Sequence, residues 1–251
     1  MTSSRTRYSL YWVLHFLLIA IGVILARTSS VLAQAVGASI VAAGISGCVV
    51  FLYVLESQKR SQALEILDDF GVVRIFQGRG VRIRRAYDDE LNRATNRIEI
   101  LGFGLRSLLE DYYDEFPRWA TRANVRVLLL DPEFPTQEHS YADQRDIEER
   151  NEKDTIAADV HNFIKRSRQY LPVLQDRFQI RLYRCLPAIN LFRIDGTLFW
   201  GPYLVGDQSR NMPTFVVREG GILYPRLAKH FEDIWSSPAL SRAVPAEWLK
   251  A

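Results

Sequence analysis

Residues 188–204, AINLFRIDGTLFWGPYL, gather an amide, a guanidinium and a carboxylate within six positions: Asn190, Arg193 and Asp195. In an extended strand successive side chains point to opposite faces, so Arg193 and Asp195 fall on one face and Asn190 on the other, unless a bulge offsets it. Arg193 offers a planar fork of donors suited to a phosphate. The competing reading pairs it with Asp195 as a structural ion pair at a hairpin. Ser209 and Arg210 follow in a polar loop with Asn211 and add hydroxyl and cationic donors for the same kind of anion. The expected ligand-binding set is therefore Asn190, Arg193, Asp195, Ser209 and Arg210.

Groups for turnover are harder to find. Nucleophilic catalysis needs a nucleophile with a base in reach, and metal catalysis needs clustered His, Cys, Asp or Glu. His139 reads as a loop residue and His161 and His230 as helical ones, and none has a Lys two positions later. No cluster has metal-ligand spacing, so neither a metal nor a cofactor is expected. Gly102-Phe103-Gly104 is too short for a dinucleotide fingerprint. No residue is assigned a catalytic role. The rival reading is a membrane-bound phosphodiesterase or nuclease with a displaced active site, using Asp131, His139 or Asp195. Cys48 and Cys185 do not indicate a disulfide framework.

Positioning these groups requires an alternating α/β pattern. Helices are expected over 87–96, 105–121, 142–169 and 223–235. Strands are expected over 98–103, 124–130, 179–183, 190–195, 197–200 and 214–217. Short strands separated by helices imply a sheet covered by helices. The domains expected are 1–56, a transmembrane hairpin; 57–85, a connector helix and basic segment; 86–237, the α/β domain; and 238–251, a tail.

From about Arg82 to Trp235 this order resembles the phospholipase D superfamily, whose motif HxKxxxxD is followed by Gly. The strand IEILGFG, the segment NVRVLLLDP, the Asp195-Gly196 turn and the final helix YPRLAKHFEDIW carry the resemblance. Aligning Asp195-Gly196 with the motif puts Ala188 at the histidine position and Asn190 at the lysine position. The family's reaction attacks a phosphodiester with that histidine, so the resemblance implies a single phospholipase D-like α/β sandwich domain without the catalytic pair. Gly201-Pro202-Tyr203 stands where the family has a Gly-Ser-x-Asn segment. Similar degenerate domains on two-helix anchors, in bacterial conflict and phage-defence loci, imply ligand sensing coupled to a membrane.

The first quarter of the chain differs in composition. Residues 9–26 carry no charge beyond that of His15, and 28–55 carry none, each long enough to span a bilayer core that needs about twenty apolar residues. Two N-terminal transmembrane helices are expected. Arg5 and Arg7 before the first and Lys59 and Arg60 after the second put both termini in the cytosol, at the inner (cytoplasmic) membrane. A cleaved signal peptide ending at Ala33-Gln34-Ala35 is the alternative for the first block. Ser39, Ala43 and Gly47 recur every four residues, a packing stripe either within the hairpin or between chains. His15 is expected to hydrogen-bond within the bundle, the alternative being a pH-sensitive or pore-lining group.

Among residues 71–85, Arg79, Arg82, Arg84 and Arg85 are expected at the membrane surface, where each basic residue is worth about 1 kcal/mol against anionic lipid, the alternative being a phosphate-bearing ligand. A net charge of only +3 offers little for nucleic acid outside that stretch. The expected function is a membrane-anchored, catalytically inactive sensor or effector. Its expected partners are the lipid bilayer, a second copy in a homo-oligomer, a nucleotide or other phosphate-bearing ligand, and a partner protein.

Overall fold

The computed structural model describes residues 4–78, 81–136, 138–186 and 188–250. It divides into two compact units, Met1–Ile66 and Leu67–Ala251.

The first unit pairs α1 (Ser4–Ala26) with the start of α2 (Val31–Asp69), one unbroken helix that continues through the expected polar connector. Among the described residues α2 is the one helix long and apolar enough to cross a membrane; the apolar part of α1, Tyr11–Ala26, is shorter. The helices meet at glycines. A Cβ on Gly37 would lie 2.6 Å from the carbonyl oxygen of Gly22, so only glycine permits this approach. Gly44 is also buried, against Ile19, and Gly47 packs on the ring of His15. The expected stripe is therefore split: Gly47 lies in the seam, whereas Ser39 and Ala43 face outward and are exposed. The inward row follows 37, 44 and 47, with 37 and 44 buried and 47 partly so, because these share the side of α2 turned to α1. His15 donates from Nδ1 to the Tyr11 carbonyl at 3.0 Å, and the Tyr11 hydroxyl donates to the Gly47 carbonyl at 3.0 Å.

The second unit is built on one eight-stranded sheet, in the order β1-β7-β6-β5-β2-β3-β4-β8. The strands are β1 (Val72–Phe76), β2 (Arg97–Gly102), β3 (Asn124–Leu130), β4 (Phe178–Tyr183), β5 (Ile189–Ile194), β6 (Thr197–Pro202), β7 (Thr214–Arg218) and β8 (Ser241–Ala243). β2, β3 and β4 run parallel, and the other pairings are antiparallel. β3 reads VRVLLL because it is an inner parallel strand covered on both faces.

One face is covered by α3 (Val81–Leu91), α4 (Arg106–Tyr112), α5 (Phe116–Arg122) and α7 (Thr155–Ser167), with Phe116, Phe163 and Phe178 at its centre. The other is covered by α9 (Leu223–Ser236), through Tyr224, Phe231 and Ile234, and by Ala142 of α6 (Tyr141–Glu149). A short α8 (Leu171–Leu174) precedes β4.

Several elements depart from the expectations. The α/β unit starts at Leu67 rather than 86, since Val72–Phe76 joins the sheet as an edge strand and Val81–Leu91 forms α3. The expected helix over 105–121 breaks at a 3-10 turn, Tyr113–Glu115, and restarts at Phe116 with Pro117 in its first turn, where its missing N–H costs nothing. The expected helix over 142–169 divides into α6 and α7, because Arg150 and Asp154 take left-handed backbone angles, φ 57° and 64°. The expected tail supplies β8 and the 3-10 turn Ala246–Leu249.

Candidate functional site

Antiparallel pairing of β5 with β2 places Glu99 opposite Arg193, and parallel pairing of β2 with β3 places Glu99 opposite Arg126. The fully buried Glu99 carboxylate is thus clasped from both sides: Arg193 Nη1 donates to Oε2 at 3.0 Å and Arg126 Nη2 to Oε1 at 2.5 Å. Arg126 also binds Glu232 of α9 at 2.6 Å. Arg193 Nε donates to the Tyr224 hydroxyl at 2.9 Å, and that hydroxyl donates to the Asp195 carbonyl at 2.5 Å. The expected ligand residue Arg193 is engaged twice over, by Glu99 of β2 and by Tyr224 of α9.

Asp195 is likewise structural. It takes φ 46° in the two-residue loop joining β5 to β6, and its carboxylate accepts the backbone N–H groups of Thr95, Asn96 and Arg97 at 2.8–3.0 Å. Burial raises its pKa, but these backbone hydrogen bonds outweigh that and hold it below the usual carboxylate range. The Arg193–Asp195 side-chain pair considered from the sequence does not form, because each side chain is drawn to a different element.

The other three expected residues gather at the opposite end of β5, beside the carboxyl end of β2, where ligand crevices of parallel strands open. Asn190, on the face opposite Arg193, is buried and donates from Nδ2 to the Gly201 carbonyl at 3.2 Å. It lines a cleft of about 330 Å³ between α3, α4 and β5, whose walls are Ile83, Tyr87, Ile100, Leu105, Leu108 and Phe192. Arg210, Arg84, Asp111 and Ser107 also line it.

A second cleft, of about 350 Å³, is polar: Arg106, Glu149, Asn151, Asp159, Gln208 and Ser209 line it. Leu105, Ser107, Leu108 and Arg210 belong to both clefts, so Arg210 stands where apolar and polar spaces meet. Its guanidinium is exposed and has no partner among the described residues.

Residues not singled out in the sequence hold Arg210 there. Arg145 of α6 is 4% exposed and lies over the stacked rings of Phe103 and Tyr203, 5.0 and 5.3 Å from their centroids. It donates to Glu148 and, at 3.0 Å, to Glu149 Oε1. Glu149 Oε1 in turn accepts the Ser209 N–H at 3.2 Å, which ties the 3-10 turn Ser209–Asn211 to α6. The spacing of Arg145, Glu148 and Glu149 was the available sequence signal. The bulk of α7 also abuts the site: Gly104 lies against Asp159, and a Cβ there would reach 3.2 Å from the Asp159 carbonyl carbon. Burial raises the Asp159 pKa, Arg106 counters it, and Glu110 and Asp146 add to the rise.

Among the expected membrane-surface residues, Arg82 and Arg85 are exposed on α3, Arg84 binds Asp111 at 3.0 Å on the rim of the apolar cleft, and Arg79 lies outside the described residues. The groups of the enzymatic rival are dispersed. Asp131, fully buried at the end of β3, is held by Arg184 and Arg242. Asp195 sits at the start of β2, the far end of the sheet, and His139 lines a separate acidic cleft with Glu138 and Asp143. Ala188 is exposed, and its carbonyl accepts the Tyr203 N–H at 3.0 Å.

No family model matches the chain, and no curated protein matches it. Among solved structures it is similar to TrmBL2, an archaeal chromatin protein described as showing a novel mode of DNA binding, with TM-score 0.45 and 12% identity over 82% of this chain and 70% of that one. It is also similar to phosphatidylserine synthase of Haemophilus influenzae Rd KW20, with TM-score 0.45 and 10% identity over 68% of this chain. There it spans 39% of the other chain's length. The fold defines the class: a mixed α/β unit on one large sheet, with an apolar helix near the amino terminus that is long enough to cross a membrane.

Proposed function

We propose that this chain is a membrane-anchored, non-catalytic phospholipase D-like sensor or effector that binds a phosphate-bearing ligand in the cytosol. The observation that carries the reading is Arg210, a guanidinium without a partner among the described residues, held by a built framework at the junction of two clefts. The same frame carries Ala188 and Asn190 where the resemblance implies His and Lys, and spends Arg193 and Asp195 on the fold. Both apolar helices span the bilayer in this reading, with the termini in the cytosol and Arg82 and Arg85 near anionic lipid.

The outward-facing Ser39 and Ala43 leave a small-residue face for a second copy, so ligand binding is read out as a change in helix packing between chains or as recruitment of a partner protein. A role in bacterial defence accords with the resemblance.

The test is a thermal-shift titration of the full chain in detergent micelles with inorganic phosphate and a panel of phosphate esters. A ligand that binds the native state alone raises the melting temperature with concentration. Stabilisation without turnover, strongly reduced in Arg210→Ala, is expected. Turnover of a phosphodiester, or the absence of stabilisation by every phosphate compound, overturns the reading.

A further inference from the structure

The class of ligand follows from one atom, on the footing that the cleft beside Arg210 is the binding site. Asn190 is 6% exposed and lines the apolar cleft. Its Nδ2 is committed to the Gly201 carbonyl, and its Oδ1 has no hydrogen bond among the described residues. An acceptor free to bond on a residue that lines an apolar cleft penalises any occupant that covers it without donating, because it exchanges water for an unmatched contact. An alkyl or prenyl chain has no donor to offer. A flat heterocycle bearing N–H groups offers both the apolar faces that Tyr87 and Phe192 favour and the missing donor.

The volume and the charge agree with such an occupant. About 330 Å³ falls within the range of small-ligand pockets and accommodates a single base with its sugar. Arg210 at the cleft's junction with the polar space supplies the cation, with Ser107 beside it, while the polar cleft continues past Ser209.

We infer that the ligand is a nucleoside phosphate, its base in the cleft between α3, α4 and β5 donating an N–H to Asn190 Oδ1, and its phosphate on Arg210. Asn190 is then the residue that selects a nucleobase over a hydrocarbon tail, since a polar group of the site that the wrong ligand leaves unmatched counts against that ligand.

The experiment uses the full chain in micelles, titrated by calorimetry with the four ribonucleoside 5′-monophosphates, inorganic phosphate and decyl phosphate. At least one nucleotide is expected to bind tenfold or more tightly than inorganic phosphate and than decyl phosphate. Asn190→Leu should cost that nucleotide tenfold and leave decyl phosphate unchanged or tighter. If Asn190→Leu does not fold, Leu108→Trp, which fills the cleft from its half-exposed rim, should reduce nucleotide affinity to that of inorganic phosphate. Decyl phosphate binding more tightly than every nucleotide overturns this inference and leaves the proposed function standing. Failure of all the phosphate probes overturns both.

Discussion

Arg193 and Glu99 face each other across β5 and β2 with 3.0 Å between Nη1 and Oε2, and this pair turns the most conspicuous cation of the 188–204 stretch into a fold element. Glu99 is 1% exposed, and a carboxylate so placed needs its cations. Arg193→Ala should lower stability by about 1.5–3 kcal/mol, the range for hydrogen bonds to charged groups, since Glu99 keeps Arg126. Phosphate affinity should stay within twofold of the parent. Urea melts and calorimetry check the two halves, and a loss of affinity with unchanged stability would return Arg193 to the binding site.

Asp195 makes stability depend on pH in a defined direction. Its native pKa lies below its unfolded one, so ionisation favours the folded state. That contribution is complete above the unfolded value, about 3.9, and is lost as pH falls through the native value below it. Asp195→Asn should cost about 1–3 kcal/mol at pH 7. The gap between parent and variant should close in melts carried down from pH 5 toward pH 2. A gap independent of pH would mean that the loop geometry, rather than the charge, holds Thr95, Asn96 and Arg97.

Asp159 works in the opposite sense. Burial, with Glu110 and Asp146 nearby, raises its native pKa, so its ionised form is the costly one in the folded protein above both pKa values. Asp159→Asn should therefore raise stability at pH 7, with the gain fading as pH falls through the raised native pKa and gone below about 4, where the unfolded carboxyl also protonates. It also removes a negative charge from the polar cleft that Arg210 lines, so phosphate affinity should rise. Destabilisation at pH 7 would show that the attraction to Arg106 outweighs burial.

These contrasts show which parts of the structure the chain announces. Strands β3, β5, β6 and β7 were legible because apolar runs and the Asp195-Gly196 turn mark them locally. The break between α6 and α7 was not, since Arg150 and Asp154 adopt left-handed angles without a glycine or proline to signal them. β1 was hidden by its charge: Arg74 on an edge strand reads like the rest of a basic segment.

At the site, Asn190, Ser209 and Arg210 were visible as residue types. Arg193 and Asp195 misled because their partners, Glu99 and the N–H groups of 95–97, lie roughly a hundred residues away in sequence and meet them only through strand register. The cleft walls from α3 and α4 carry no motif, and only packing brings Tyr87 and Leu108 to Asn190.

Arg145 supplies the sharpest test that Arg210 is positioned rather than merely present. It carries no atom of the apolar cleft's lining, yet it holds Glu149, which holds the Ser209 N–H and so the turn bearing Arg210. Arg145→Met keeps bulk against Phe103 and Tyr203 but leaves Glu148 and Glu149 without their cation, which should destabilise the chain by about 3–5 kcal/mol. Lysine should not restore it, since an ammonium cannot fork to two carboxylates while lying flat on a ring. The decisive readout is coupling. In the parent background Arg145→Met should weaken phosphate binding several-fold, and in an Arg210→Ala background it should weaken it no further, because the cation it positions is gone. Equal losses in both backgrounds, measured well below the melting temperature, would mean that Arg145 supports the fold alone and that Arg210 finds the ligand without the Glu149–Ser209 tie.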